Sequence, residues 1–305
     1  MRKIGIFIGI VAVFFIILPS FSQAKQGISV TPSVAYIDLA TDKPEYLLTY
    51  TNNTKTNITL SLSVSDFNEL EEGYAINFLS PKDASNYKYS LSSWISFETK
   101  SLELLPGEQK SVKISVDKQR ITKGGHYASI QAEVVQTDNK EKVNLRGIIS
   151  ALLFVRASTG KEIEDGSINT FKSIQNSIEY PDTYLLRLEN SGNVHVIPYG
   201  IIQVYDPLGN LIAKGILNEG SLDALPESIR RYDTKVTTYQ KVLLPGFYTA
   251  KISLHFGKTD KKLSASTKFF SQGSLDFVKI AIFALILVGA FIFLKRRKNL
   301  KENRS

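Results

Sequence analysis

Ile58, Leu60, Leu62 and Val64 alternate with Thr59, Ser61, Ser63 and Ser65. A period of two puts one face of a strand in a core and the other in water. The same alternation returns at Val112, Ile114 and Val116, at Ile130, Ala132 and Val134, and at Tyr248, Ala250, Ile252, Leu254 and Phe256. Ile148 to Val155 is apolar almost without alternation, which predicts a strand buried on both faces. Turns punctuate these runs at Asn52-Asn53-Thr54-Lys55, Pro106-Gly107, Lys123-Gly124-Gly125 and Asp206-Pro207-Leu208-Gly209. No long helical period occurs before residue 275. The pattern predicts an all-β ectodomain built of antiparallel sandwiches.

The pattern repeats. Tyr46-Leu47-Leu48-Thr49-Tyr50-Thr51-Asn52 lines up with Tyr184-Leu185-Leu186-Arg187-Leu188-Glu189-Asn190, 138 residues later. Gly125-His126-Tyr127 matches Gly246-Phe247-Tyr248, and Leu105-Pro106-Gly107 matches Leu244-Pro245-Gly246. Matches in the same order predict a duplicated fold. The expected domains are 25–157 and 158–270, joined at Ala157-Ser158-Thr159-Gly160-Lys161. The first carries a polar insert at 66–93.

The two ends of the chain set its topology. Phe277 to Leu294 is an apolar stretch interrupted only by Lys279, and Lys295-Arg296-Arg297-Lys298 follows at once. Eighteen helical residues rise ~27 Å, close to the hydrocarbon thickness of a bilayer, and the basic cluster marks the cytoplasmic side. Arg2, Lys3 and the apolar run Ile4–Leu18, followed by Ser22-Gln23-Ala24, read as a signal peptide over 1–24. The expected order is signal peptide, two domains, a tether at 271–276, a single transmembrane span at 277–294 and a basic tail at 295–305. The N-terminus would be extracellular or periplasmic and the C-terminus cytoplasmic.

Charge and cysteine narrow the function. Of the net +8, Arg2 and Lys3 contribute two, Lys279 one, and the tail a net five, so residues 4–278 are neutral. The basic excess belongs to the topogenic segments, and the pattern excludes a nucleic-acid partner, whose binder would carry charge on the folded part. With no cysteine, a disulfide framework, thiolate metal ligation and a cysteine nucleophile are excluded.

Catalytic constellations are absent. No nucleophile elbow, phosphate loop or dinucleotide fingerprint stands in a strand–turn–helix context, so no catalytic, cofactor-binding or metal residue is assigned. His126, His195 and His255 lack metal-ligand spacing and read as surface histidines. The neighbouring carboxylates Glu71 with Glu72 and Glu164 with Asp165 read as solvated; Glu162, Glu164 and Asp165 lack the spacing of a calcium loop. Asn52 and Asn57 fit Asn-x-Ser/Thr, incidental triplets in the bacterial protein that the composition suggests. Tyr74, Tyr87, Tyr89 and Trp94, in and beside the insert, read either as a partner-binding surface or as rings that fold back to plug the first sandwich.

Ile28-Ser29-Val30-Thr31-Pro32, Tyr46 to Asn52, Trp94-Ile95-Ser96-Phe97 and Leu104-Leu105-Pro106-Gly107-Glu108 resemble the N-terminal domain of periplasmic pilus chaperones and of major sperm protein. The whole layout resembles the WxL-interacting cell-surface proteins of Gram-positive bacteria. That resemblance implies two tandem immunoglobulin-like domains, a single membrane span and a basic tail, with a first domain associated with peptidoglycan and a second with a surface or host partner. No basic pair of the pilus-chaperone kind can be placed here. The expected function is a non-enzymatic, membrane-anchored envelope protein that binds a cell-wall polymer or another surface protein. The alternative is an envelope or pilus assembly accessory acting by β-strand addition; a surface hydrolase comes third.

Overall fold

The computed structural model describes residues 27–73, 75–135, 147–174, 180–240, 242, 244–257, 259, 261–273 and 275–302. The expected signal peptide, with Arg2 and Lys3, lies outside them, as does Tyr74.

Alternation becomes strand as expected, and the strands form two sandwich-like units. In the first, β1 (Ile28–Thr31), β3 (Glu45–Asn52), β8 (Gln109–Val116) and β6 (Ile95–Phe97) make one sheet in the order β1-β3-β8-β6. The facing sheet runs β2-β10-β9-β4-β5, from β2 (Val34–Asp38), β10 (Ile148–Arg156), β9 (Gly125–Val135), β4 (Ile58–Leu70) and β5 (Ala75–Phe78), with β7 (Ser101–Leu104) also on β4. Leu48 and Tyr50, Leu60 and Leu62, and Ile114 and Ile130 meet between the sheets. The chain changes sheets within a few residues of its start, passing from β1 on β3 through a cis Thr31–Pro32 bond to β2, which runs parallel to β10.

The second unit repeats the pairing with fewer parts. β11 (Gly166–Ile174), β12 (Thr183–Asn190) and β15 (Ser228–Lys235) form a three-stranded sheet. β16 (Thr237–Thr238), β14 (Leu211–Leu217), β13 (Pro198–Tyr205), β17 (Gly246–Phe256) and β18 (Lys262–Ser271) form a five-stranded one. β3 pairs with β1 and β8 as β12 pairs with β11 and β15, and β9 sits between β4 and β10 as β17 sits between β13 and β18.

The repeat is anchored where the sequences match best. Asn52 ends β3 fully buried, and its side-chain amide donates to Thr56 O (2.8 Å) and Leu104 O (3.1 Å), while its Oδ1 accepts Thr54 N–H. Asn190 ends β12 the same way, donating to Val194 O and Ala224 O (both 2.9 Å) and accepting Gly192 N–H. An Asn at this corner satisfies three backbone groups that the turning chain would otherwise bury unpaired. Its amide is thereby occupied. The Gly-x-Tyr match also holds, since β9 and β17 both open on it. The Leu-Pro-Gly match does not: Leu105–Gly107 links β7 to β8, whereas Leu244–Gly246 leads into β17. Pro-Gly suits any tight turn, so the coincidence carries no topology.

β18 ends at Ser271 and a helix begins at Leu275, so the connection is shorter than the tether expected at 271–276. The helix runs to Glu302, through Lys295, Arg296, Arg297 and Lys298. Its described side chains, 279–295, hold the uncharged run Ile280–Leu294, exposed all round. Fifteen residues rise ~22 Å against ~30 Å of hydrocarbon. Among the described residues no helix is long and apolar enough to cross a membrane. The crossing expected at 277–294 is therefore carried by the sequence and not by the structure.

Candidate functional site

The two units meet end to end, and the junction has its own core. Phe67, Tyr127 and Phe154 of the first unit pack with Tyr89 and with Leu225 of the second. Phe154 explains the apolar run of β10. Leu153 and Val155 face the first core, while Phe154, between them, faces the neighbouring unit. His195 joins this set, 5.2 Å from Phe154 and 5.7 Å from both Tyr36 and Tyr127 between ring centroids. Gly125 allows the approach. Its N–H donates to Asn193 O at 2.8 Å, and a Cβ there would stand 2.1 Å from the Tyr127 hydroxyl.

Polar groups frame the aromatic ones. The Tyr36 hydroxyl donates to Asp223 Oδ2 at 2.6 Å. Arg230 pairs with Glu69 across the junction and donates to the Asp223 carbonyl at 2.5 Å, and Arg187 pairs with Glu72. Gly73 leaves room for Arg230, whose Nε lies 2.8 Å from where its Cβ would be. Burial pushes the Asp223 carboxyl up to about 6 against the pull of Arg230, and it raises Glu69 as well. Burial, reinforced by the Arg156 charge, lowers His195 to about 4, so the ring stays neutral near pH 7.

Beside this core a cleft of about 420 Å³ opens between the units. Tyr36, Phe154 and Tyr199 make its apolar wall, and Arg156 crosses it to Glu164, whose carboxylate is nearly fully buried. β2 forms the cleft's upper rim and ends its sheet. The ladder shows which of its main-chain groups are free. Leu152 N–H donates to Ser33 O and Leu39 N–H to Arg156 O, so the odd-numbered residues pair with β10. The N–H and C=O groups of Val34 and Tyr36 point off the other edge, and both residues are exposed. A cleft with aromatic walls and a spent ion pair, beside a strand edge that has no partner among the described residues, is chemically equipped to hold an extended polypeptide.

The insert residues fall elsewhere. Tyr89 is 4% exposed and sits inside the junction, which leaves a partner no contact area on it. Tyr87 is half-buried, edge-on to Tyr89 at 5.8 Å; Trp94 is half-buried against His126 at 4.7 Å. The insert is clasped by Asp66, which accepts from Leu91 N–H, Ser92 N–H and the hydroxyls of Ser90 and Ser92. Tyr89 thus belongs to the core shared by the two units, packed with Tyr127 and Leu225.

Two readings are corrected. His126 is buried, hydrogen-bonded to Ser90 O and Thr122 O, and His195 is enclosed by aromatic rings. Alternation with Val194 and Val196 put His195 on the face away from the core, and in a tandem molecule that face can meet the other unit instead of water; His126 is covered within its own unit, by Trp94 and the loop carbonyls of Ser90 and Thr122. The paired carboxylates are likewise engaged, with Glu72 on Arg187, Glu164 on Arg156 and Asp165 on Lys261. Glu162 accepts from Thr159 and Gly160 N–H. These directions diverge, and among the described residues no group of His, Asp or Glu is placed to hold a metal ion.

No family model matches the sequence, and no curated protein does. The WxL-interacting resemblance therefore rests on layout. Solved structures similar to this chain include the class 5 fimbriae chaperone CfaA, at 12% identity and a TM-score of 0.41, covering 80% of this chain and 99% of that one. The E. coli chaperone DraB follows at 13% and 0.37, covering 79% and 98%. The Pseudomonas aeruginosa CupB2 chaperone stands at 10% and 0.36, covering 79% and 98%. Likenesses this distant carry nothing about this chain's activity.

Proposed function

We propose that this chain is a non-enzymatic, membrane-anchored envelope protein that holds an extended segment of a partner surface protein by β-strand addition at β2. The observation that carries the reading is the edge of β2 at Val34 and Tyr36, which has no strand partner among the described residues, with Tyr36 also lining an aromatic-walled cleft. Main-chain hydrogen bonds would supply affinity and the cleft side chains selectivity. The reading takes both units as immunoglobulin-like and the helix as a single span, with the ectodomain outside the cell. Support for the span is the uncharged run Ile280–Leu294, its exposed side chains and the basic residues that follow. β18 runs away from the first unit toward the helix, so the cleft and the first unit would stand outward from the bilayer.

The test uses the full chain in phospholipid vesicles and synthetic strand peptides from envelope proteins encoded beside it. Val34→Pro removes an edge donor without breaking a β10 bond, a substitution edge strands tolerate. Binding lost in Val34→Pro with an unchanged melting curve supports strand addition. Peptides that bind both forms alike, or none that bind while insoluble cell wall retains both, would sink it in favour of a different surface or a wall polymer.

A further inference from the structure

The end of the second unit that leads into the helix carries an apolar rim. β18 finishes beside the start of β17, with Gly246 paired to Ser271 and Phe247 to Phe270. Phe247 is 66% exposed, and its ring meets that of Phe270 edge-on at 5.6 Å. The β13–β14 hairpin comes to the same place, for a Cβ on Gly246 would stand 2.9 Å from Pro207 Cγ. At its tip Leu208 is 74% exposed, held out by a turn in which Gly209 N–H donates to Asp206 O. Scattered apolar residues on a surface mean little. Three large ones at a single end, beside the only described helix of more than one turn, mean more.

The cations stand one step back. Lys268 faces the same way as Phe270 and pairs across to Thr249, so it lies one strand row farther from the end, ~7 Å up the sheet. Lys251 follows in the next row, its ammonium 5.0 Å from the Tyr205 ring. Apolar rings outermost with lysines one row behind is the order in which a bilayer presents acyl chains and phosphates.

We infer that this rim, Leu208 with Phe247 and Phe270, seats in the headgroup–acyl boundary of a phospholipid bilayer, with Lys268 at phosphate level. The inference rests on the helix being a membrane span. Given that, the geometry leaves little freedom. From Phe270 to Leu275 is five residues, at most ~18 Å of chain. The interfacial layer on each side of the hydrocarbon is ~5–8 Å thick. A unit tethered so closely by its rim end must rest that end on the headgroups. Seating it would fix the tilt of the second unit, and through the packed junction the direction in which the first unit and its cleft point.

The chain lacks cysteine, so single labels report cleanly. Leu208→Cys, Leu105→Cys and Leu287→Cys, each carrying a nitroxide, would be reconstituted as full chains in vesicles of phosphatidylcholine and phosphatidylglycerol. Collision with a water-soluble nickel complex is then compared with collision with oxygen. Leu105 lies in the turn between β7 and β8, at the end of the first unit away from the junction, and gives the aqueous value. The expected result is nickel accessibility at 208 several-fold below that at 105, and lower still at 287. An aqueous reading at 208 with a deep one at 287 would overturn the rim while leaving the span intact. An aqueous reading at 287 would remove the span and the rim together.

Discussion

The hydroxyl of Tyr127 accepts the main-chain N–H of His195 at 2.7 Å, so a fully buried side chain of one unit satisfies the backbone of the other. Tyr127→Phe keeps the ring against Phe67 and Phe154 and leaves that N–H without its partner. The expected cost is about 1–2 kcal/mol, read as a lower urea midpoint. Gly125→Ala should cost more, because its Cβ would collide with the same hydroxyl.

Two groups at the junction oppose each other with pH. Asp223 is raised from 3.8 to about 6, so its contribution is full below its unfolded value and lost as pH rises through 6. His195 is lowered from 6.5 to about 4, so its contribution is full above 6.5 and lost as pH falls through 4. Each amounts to about 3 kcal/mol at most. Between pH 4 and 6 the slopes have opposite signs and largely cancel. Relative to the parent chain, Asp223→Asn should steepen the gain in stability from pH 4 to 6.5. His195→Gln should turn it into a loss. Denaturation midpoints across that range check both, and two variants with the same slope would contradict the assignment.

Asn52 and Asn190 make a matched pair of tests. On substitution by alanine Asn52 loses two donated bonds and two accepted ones, from Thr54 N–H and the Thr54 hydroxyl, and Asn190 loses two donated and one accepted, each at a buried corner. Both Asn52→Ala and Asn190→Ala should cost about 3 kcal/mol. Melting curves that fell for one and not the other would mean that the two corners differ in worth despite their matched places in the two units.

These asparagines also show what the chain discloses by itself. A strand ending in Asn is a local signal, and alternation is a local signal, so the β units and their duplication are legible from residues 46–52 and 184–190. The junction is not. Tyr36 and Phe154 occupy the outward phase of their strands and His195 lies in the loop between β12 and β13, positions where sequence cannot tell water from a second unit. Asp223 and Arg230 come from strands and loops far from Glu69 in sequence, and no spacing relates them. Phe154 alone left a trace, since an apolar residue between two core residues breaks the alternation a solvated face would keep.

Arg230 is where that hidden chemistry is most exposed to test. Its guanidinium serves Glu69 from the first unit and the Asp223 carbonyl in the second, and Glu69 also accepts from Ser228. Both ion-pair members are largely buried, with side chains 13% and 7% exposed. Removing one partner strands the other charge. Arg230→Met should therefore cost about 3–5 kcal/mol, and the double variant with Glu69→Gln should recover much of it. Burial already raises the Glu69 carboxyl, and without Arg230 it should rise further and take up a proton. The deficit of Arg230→Met should then shrink as pH falls and grow toward neutrality. A deficit that stays flat with pH, or a double variant no better than the single one, would show that Arg230 acts by filling space and not by neutralising Glu69.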